Sequence, residues 1–200
     1  MATMYHPEKD ALFIHFSKTG GMWTQKILSK FGFRIVDLNV KGGHLGINDL
    51  DFVTKNTYTF GFVRNPISWH ISLFNFLDSN NWNFKGFSRY KSSSLNEHLS
   101  KIYTSPSQKV AFSIWFNDMF GVGSDLECKN IFRYEEIYNG LKKALQNVNI
   151  NAETEIEMAK DIKKNKTLVR DSYISKENIR LIFLNNKQIF EKYKYNLDGG

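Results

Sequence analysis

The fold is decided by Phe13-Ile-His-Phe-Ser-Lys-Thr-Gly-Gly-Met-Trp-Thr-Gln-Lys-Ile-Leu28. The run from Ala11 to Phe16 is short and apolar, as a strand buried on both faces must be. Ser17 to Gly21 is a polar turn with two adjacent glycines. Trp23, Ile27, Leu28 and Phe31 then recur at helical spacing, and Gly32 is a natural stop. The stretch therefore reads as strand, tight turn, helix. Glycines let the backbone approach a ligand closely, and the first amides of the helix point at the turn. Such a turn binds anions, and Lys18 adds a positive charge to it.

Outward from this stretch the pattern repeats. Thr57 to Val63 is rich in aromatic and β-branched residues and reads as a strand. It runs into Arg64-Asn-Pro66, where Asn65 suits a helix cap and Pro66 the first helical position, with the helix continuing through Leu77. Phe33 to Leu38 suits a short strand, and Asn48 to Val53 a short helix. Between them lies Lys41-Gly-Gly-His-Leu-Gly46, three glycines around one histidine. Residues 78–93 form a long loop carrying Trp82, Phe84, Phe87 and Tyr90, a candidate for function by its length. Ser94 and Glu97 read as a capping box. Helices are expected to about Tyr103, over Lys109 to Phe120 (Val110, Ile114 or Trp115, and Met119 on one side), over Glu135 to Val148, over Ala152 to Lys164, and from Ser175 to Tyr193. Asn130 to Tyr134 reads as a further strand. Alternating strands and helices with no linker and no repeat predict one α/β domain over residues 1–200, its central sheet mainly parallel and flanked by helices.

The chain has 200 residues, 17 of them Phe, enough for a substantial core. Its net charge of +7 suits a polyanionic ligand. Cys128 is the one cysteine, so no intrachain disulfide forms, and five His without an H-x-x-x-H pair give no zinc motif. The first ten residues lack the apolar core of a signal peptide, and no stretch approaches a membrane span of roughly 20 apolar residues. A soluble, cytoplasmic protein is expected.

The turn is not the common nucleotide-triphosphate loop, since its lysine precedes the glycines. Lys-Thr-Gly-Gly-x-Trp directly after a strand resembles the phosphosulfate loop of the sulfotransferases, which use 3′-phosphoadenosine 5′-phosphosulfate (PAPS). Phe62-Val-Arg-Asn-Pro66, with Ser72 eight residues after Arg64, resembles the 3′-phosphate signature of that family. Phe132-Arg-Tyr-Glu-Glu-Ile137 resembles its strand whose tyrosine lies against the adenine. Asn165-Lys-Thr, Arg170-Asp-Ser-Tyr173 and Phe190-Glu-Lys-Tyr193 resemble the C-terminal part of the carbohydrate-type branch. The resemblance runs from Phe13 to about Tyr195.

It implies a P-loop-like fold and a sulfuryl transfer from PAPS to a hydroxyl or amine of a small-molecule or carbohydrate acceptor, leaving the bisphosphate PAP and needing no metal. Lys18 would neutralise the leaving oxygen, and the amides from Gly20 to Thr24 would hold the 5′-phosphate. His44 would take the acceptor proton, with Lys41 assisting. The donor would be bound by Lys18, Thr19, Gly20, Gly21, Met22, Trp23, Thr24, Arg64, Ser72 and Tyr134, with Trp23 and Tyr134 sandwiching the adenine. The aromatic loop around Trp82 to Tyr90, with Phe112, Trp115 and Phe116, would line the acceptor pocket. His15 reads as structural, with contact to substrate as the alternative, and His70 and His98 read as surface residues.

Two departures stand out. Met22 replaces a small hydroxyl residue whose contact Thr19 or Thr24 could take over. The Arg-Lys-Gly element over the 3′-phosphate is absent, and Lys164, Lys166 or Arg170 could substitute for it. The rival readings are a nucleotide or small-molecule kinase on a related fold, and a non-catalytic binder of nucleic acid or another polyanion. The kinase would want a lysine after the glycines and acidic Mg²⁺ ligands. The polyanion binder leaves the two strand-end phosphate motifs without a purpose, so no nucleic-acid partner is expected.

Overall fold

Phe13 and Phe60 sit opposite each other, as do Ile14 and Gly61, where the strands that lead to the Lys18 turn and to Arg64 run side by side and parallel. In this computed structural model, residues 2–37, 44–84, 86–105, 111–160 and 171–199 are described. The strands are β1 (Met4–His6), β2 (Ala11–Ile14), β3 (Arg34–Ile35), β4 (Tyr58–Val63) and β5 (Asn130–Arg133). The helices are α1 (Gly21–Leu28), α2 (Pro66–Ser79), α3 (Leu95–Thr104), α4 (Phe112–Phe120), α5 (Ile137–Gln146), α6 (Glu153–Lys160) and α7 (Lys176–Tyr193).

The chain divides into two compact units, Met1–Arg64 with Phe116–Lys164, and Asn65–Trp115 with Asn165–Gly200. The first holds the sheet, in the order β3-β1-β2-β4-β5. The expected mainly parallel sheet is instead mixed. β2 pairs in parallel with β4 and β4 with β5, but β1 pairs antiparallel with both β2 and β3. The reason is β1, which Met4-Tyr5-His6 does not announce: three residues, one aromatic, no β-branched side chain. It exists because the chain turns back at once from Pro7 to Asp10. Asp10 takes a left-handed conformation and its carboxylate accepts from the Tyr5 hydroxyl at 2.9 Å.

All four residues of β2 are buried, which fits a strand covered on both faces. On one face Phe13, Phe60 and Phe62 pack with Trp23, Ile27, Leu141, Leu145 and Ile156 of α1, α5 and α6. On the other, Phe16 meets Phe116 and Phe120 of α4. Gly61 makes room there: a Cβ on it would lie 2.5 Å from the Phe120 ring and 2.8 Å from the Ile14 carbonyl oxygen. After α1 a 3-10 turn over Ser29–Phe31 ends at Gly32, as its position suggested.

The second unit is helical. Asn65 caps α2 as expected, its Oδ1 accepting from Ile67 N–H at 2.9 Å with Pro66 in the first turn. Ser94 Oγ caps α3 through Glu97 N–H at 3.2 Å. The reciprocal half of the box is shifted by one residue, because the Glu97 carboxylate accepts from Ser93 N–H and Oγ. Of the alternatives Ile114 and Trp115 for the buried side of its helix, Ile114 is 42% exposed and Trp115 is half-buried with its ring edge-on to Trp69, while Phe112 is fully buried against Trp69. The stripe of α7 buries two asparagines beside its apolar residues, and Asn186 marks a kink in that helix.

His70 and His98, expected at the surface, are fully buried. His70 Nε2 is hydrogen-bonded to the Tyr103 hydroxyl at 2.7 Å, and Asn186 Nδ2 donates to the same oxygen at 3.1 Å. His98 Nδ1 bonds the Tyr90 carbonyl at 3.2 Å and its ring packs on Phe74 and Trp82. Each of these helices is amphipathic, and the histidine falls on its inward face. Among the described residues no helix is long and apolar enough to cross a membrane.

Burial pushes the His98 imidazole down to about 4, so it stays neutral in the folded chain at neutral pH. The unfolded chain takes up that proton at its ordinary pKa of about 6.5. Stability is therefore intact above that value and falls with pH until the folded state also binds the proton. We expect a loss of roughly 3 kcal/mol from this one group between about pH 6.5 and 4. Urea unfolding across that range checks it: His98→Asn should show a shallower pH dependence than wild type, and equal slopes would remove His98 as the cause.

Candidate functional site

β2, β4 and β5 run parallel, so their carboxyl ends deliver three segments to one edge of the sheet: the turn 15–20, Arg64, and Arg133 with Tyr134. This is where open α/β sheets place ligands. The turn is tight and held from within. Thr19 Oγ1 donates to the Phe16 carbonyl at 2.5 Å. Lys18 has φ 62° and Gly20, the residue capping α1, has φ 74°. A left-handed lysine is strained backbone, of the kind that clusters at ligand sites. At Gly20 a Cβ would also lie 2.8 Å from Ile137 Cδ1 and 2.9 Å from the Tyr134 ring. Only glycine suits both the angle and the space.

Arg64 leaves the end of β4 and reaches back across the turn. Its Nη1 donates to the Lys18 carbonyl at 3.3 Å, and its guanidinium lies 5.0 Å from the centre of the Tyr134 ring. Tyr134 therefore fills the space between Arg64 and Gly20, a cation–π contact on one side and a glycine contact on the other. Burial, and then the nearby Arg64 charge, push the Lys18 ammonium down to about 8. Two cations are thus gathered, partly out of water, in front of the first turn of α1.

His44 approaches from the glycine-rich loop. Its ring centre lies 4.9 Å from that of His15, and its ring hydrogen-bonds the His15 backbone carbonyl. Burial lowers the His44 pKa, and the bond to His15 works against that shift. The carbonyl fixes which ring nitrogen carries the proton, and the other nitrogen, Nδ1, is buried. His15, read from sequence as structural, is fully buried beside Gly21. A Cβ on Gly21 would stand 1.9 Å from His15 Nε2.

Other expected site residues lie elsewhere or are already engaged. Trp23 is 8% exposed in the core, its indole N–H donating to the Ala159 carbonyl at 3.0 Å and its ring edge-on to Tyr138. The expected sandwich partners Trp23 and Tyr134 thus have different neighbours, because helical spacing turns Trp23 toward α5 and α6. Thr24 is buried, with both its amide and its hydroxyl directed at the Gly20 carbonyl, and the Thr19 hydroxyl proton is spent within the turn. Neither replaces the hydroxyl donor lost at Met22, which is 47% exposed. The expected lining residues Trp82, Tyr90, Phe112 and Phe116 are buried core side chains. Ser72 is half-buried on α2, in the second unit. Lys41, Lys164, Lys166 and Arg170 lie outside the described residues.

Arg133 was missed by the sequence reading. It stands at the carboxyl end of β5, half-buried, 3.4 Å from the Glu136 carboxylate. Its place directly before Tyr134, at a strand end, was the available signal. At the amino ends of β4 and β5, the opposite edge of the sheet, a cavity of about 340 Å³ is lined by Lys55, Lys129 and Glu127 among others. Lysines and carboxylates mix there. No family model matches the chain, and no curated protein or solved structure is significantly similar to it.

Lys18 should be readily acylated near pH 8, since about half of its side chains carry a neutral amine there. Competitive labelling followed by mass spectrometry gives its titration midpoint. In Arg64→Ala the neighbouring charge is gone and the midpoint should rise. A midpoint unmoved by the substitution would show that burial alone sets it.

Proposed function

We propose that the protein is a PAPS-dependent sulfotransferase on a P-loop-like scaffold, and that the first unit carries its donor site. The observation that carries this reading is the pair Lys18 and Arg64, held together at the ends of adjacent parallel strands in front of a helix N-terminus. Two crowded, partly dehydrated cations are stabilised by an anion carrying several negative charges. A doubly phosphorylated adenosine supplies phosphates at both ends of one molecule, and Tyr134 offers an aromatic face between them. The resemblance of both turns to the sulfotransferase signatures adds the identity of the group transferred.

The chemistry follows from the side chains. An acceptor oxygen attacks the sulfur while the bond from sulfur to the bridging oxygen of the 5′-phosphate breaks, and negative charge grows on that oxygen. Lys18, as ammonium, stabilises the charge. The amides of Gly21 and Trp23 precede the first intrahelical bond, from Thr24 N–H to the Gly20 carbonyl, and hold the phosphate. His44 is kept neutral by burial and has its tautomer fixed by the His15 carbonyl, so it receives the acceptor's proton. As in phosphoryl transfer, positioning and charge stabilisation supply most of the acceleration. The acceptor is a hydroxyl or amine of a small molecule or carbohydrate.

A thermal-shift series with adenosine 3′,5′-bisphosphate, ATP with Mg²⁺ and an RNA oligomer tests the reading. Stabilisation by the bisphosphate alone is expected; stabilisation by ATP or RNA alone would replace it with the kinase or the polyanion reading. Lys18→Ala should depress turnover with labelled PAPS far more than it weakens bisphosphate binding. Arg64→Ala should weaken bisphosphate binding by about 2–4 kcal/mol.

The free-enzyme pH profile gives an independent check. The acid limb of kcat/KM should lie below pH 6.5, where His44 takes on its proton, and the alkaline limb near pH 8, where Lys18 loses its own. A profile flat across pH 8 would take Lys18 out of the reaction.

A further inference from the structure

The run Ala11–Phe16, β2 and the two residues after it, is apolar except at one position, and that position is a histidine. Among its neighbours in sequence Phe13, Ile14 and Phe16 are as fully buried as His15 is. Neither ring nitrogen of His15 has a hydrogen-bond partner among the described residues. A neutral imidazole always carries one N–H donor and one acceptor, and leaving them unpaired in the interior is costly. Buried polar groups without partners are rare enough to require a reason, such as a ligand.

The ring's direction supplies that reason. Of all the atoms near Gly21, His15 Nε2 comes closest to where a Cβ would stand, at 1.9 Å, followed by Cδ2 at 2.1 Å. The Nε2 edge thus enters the first turn of α1, an eight-residue helix, through the gap left by the missing side chain. On this view Gly21 is glycine to admit an imidazole as much as to let a ligand approach. We propose that His15 is a ligand-binding residue of the site: its Nε2–H donates to a phosphate or sulfate oxygen held at the N-terminus of α1.

The donor is the uncharged ring. Burial, together with neighbouring His44 and Lys18, holds the His15 pKa well below the ordinary imidazole range. The positive end of the α1 dipole acts in the same direction. A neutral donor adds a hydrogen bond to the anion without adding a third cation beside Lys18 and Arg64. This inference rests on the proposal that an oxyanion occupies the turn, and the test separates the two.

The test combines imidazole ¹⁵N NMR of the full chain with binding measurements on variants. Adenosine 3′,5′-bisphosphate, inorganic sulfate, inorganic phosphate and adenosine are the probes. Bisphosphate should shift the His15 ring nitrogens without protonating them, and adenosine should not. His15→Phe, which keeps a ring and loses the donor, should bind bisphosphate at least about tenfold more weakly, whereas His15→Gln, which keeps a neutral N–H, should recover part of that loss. If wild type binds bisphosphate while the His15 signals stay still and His15→Phe binds equally well, the His15 assignment falls and the donor reading stands. If bisphosphate does not bind but sulfate or phosphate moves the His15 signals, the nucleotide reading falls and the anion contact stands. If no anion moves those signals, the His15 contact is wrong. Because the wild-type spectrum decides by itself, a variant that fails to fold leaves the test intact.

Discussion

Two positive charges lie close together at the edge of the first unit's sheet, and its geometry allows them nowhere else. β2 and β4 are neighbours in fixed parallel register, so whatever follows Ile14 and whatever follows Val63 must emerge on the same edge. Lys18 comes four residues after one strand end and Arg64 directly after the other. Like charges brought together out of water repel each other and lose hydration, which is why the Lys18 ammonium sits near 8. The surrounding groups respond to this charge. Tyr134 offers Arg64 a π face, and the Lys18 carbonyl accepts from its guanidinium. Under the proposed function such a pair favours an anion, and a site with that preference is pre-organised for charge that grows during a reaction.

Much of this edge was legible in the sequence because its signals are local. A capping Asn followed by Pro, a glycine pair after an apolar run, and a block of aromatic and β-branched residues each report a conformation that neighbouring residues enforce. Asn65, Pro66, Gly20 and the strand from Tyr58 were placed correctly on that basis. What escaped is set by contacts distant in sequence. β1 is three residues long and is a strand only because β2 and β3 flank it. The aromatic loop looked like a ligand wall because its residues carry no period. Yet Trp82 and Tyr90 are core residues, tied by packing to His98, which no spacing rule reveals. Trp23 illustrates the same limit: a motif position suggested a ligand, while helix geometry turns the indole to the Ala159 carbonyl.

The buried histidines provide a comparison within one chain. His70 and His98, in the helical unit, each commit a ring nitrogen to a protein partner, the Tyr103 hydroxyl and the Tyr90 carbonyl. That is how an interior histidine behaves when its task is architecture: one strong bond offsets much of the desolvation, and packing against Trp69 or Trp82 offsets more. His15 is just as buried and has neither bond among the described residues. Burial is therefore not what separates the structural histidines from the functional one. The difference is that His70 and His98 each keep one bonded ring nitrogen beside one buried nitrogen without a partner, whereas His15 has neither nitrogen bonded among the described residues. Its Nε2 lies against Gly21 at the N-terminus of α1, with Lys18 nearby. A polar side chain retained in that position costs stability in the ligand-free fold, and that cost is recovered when an anion arrives.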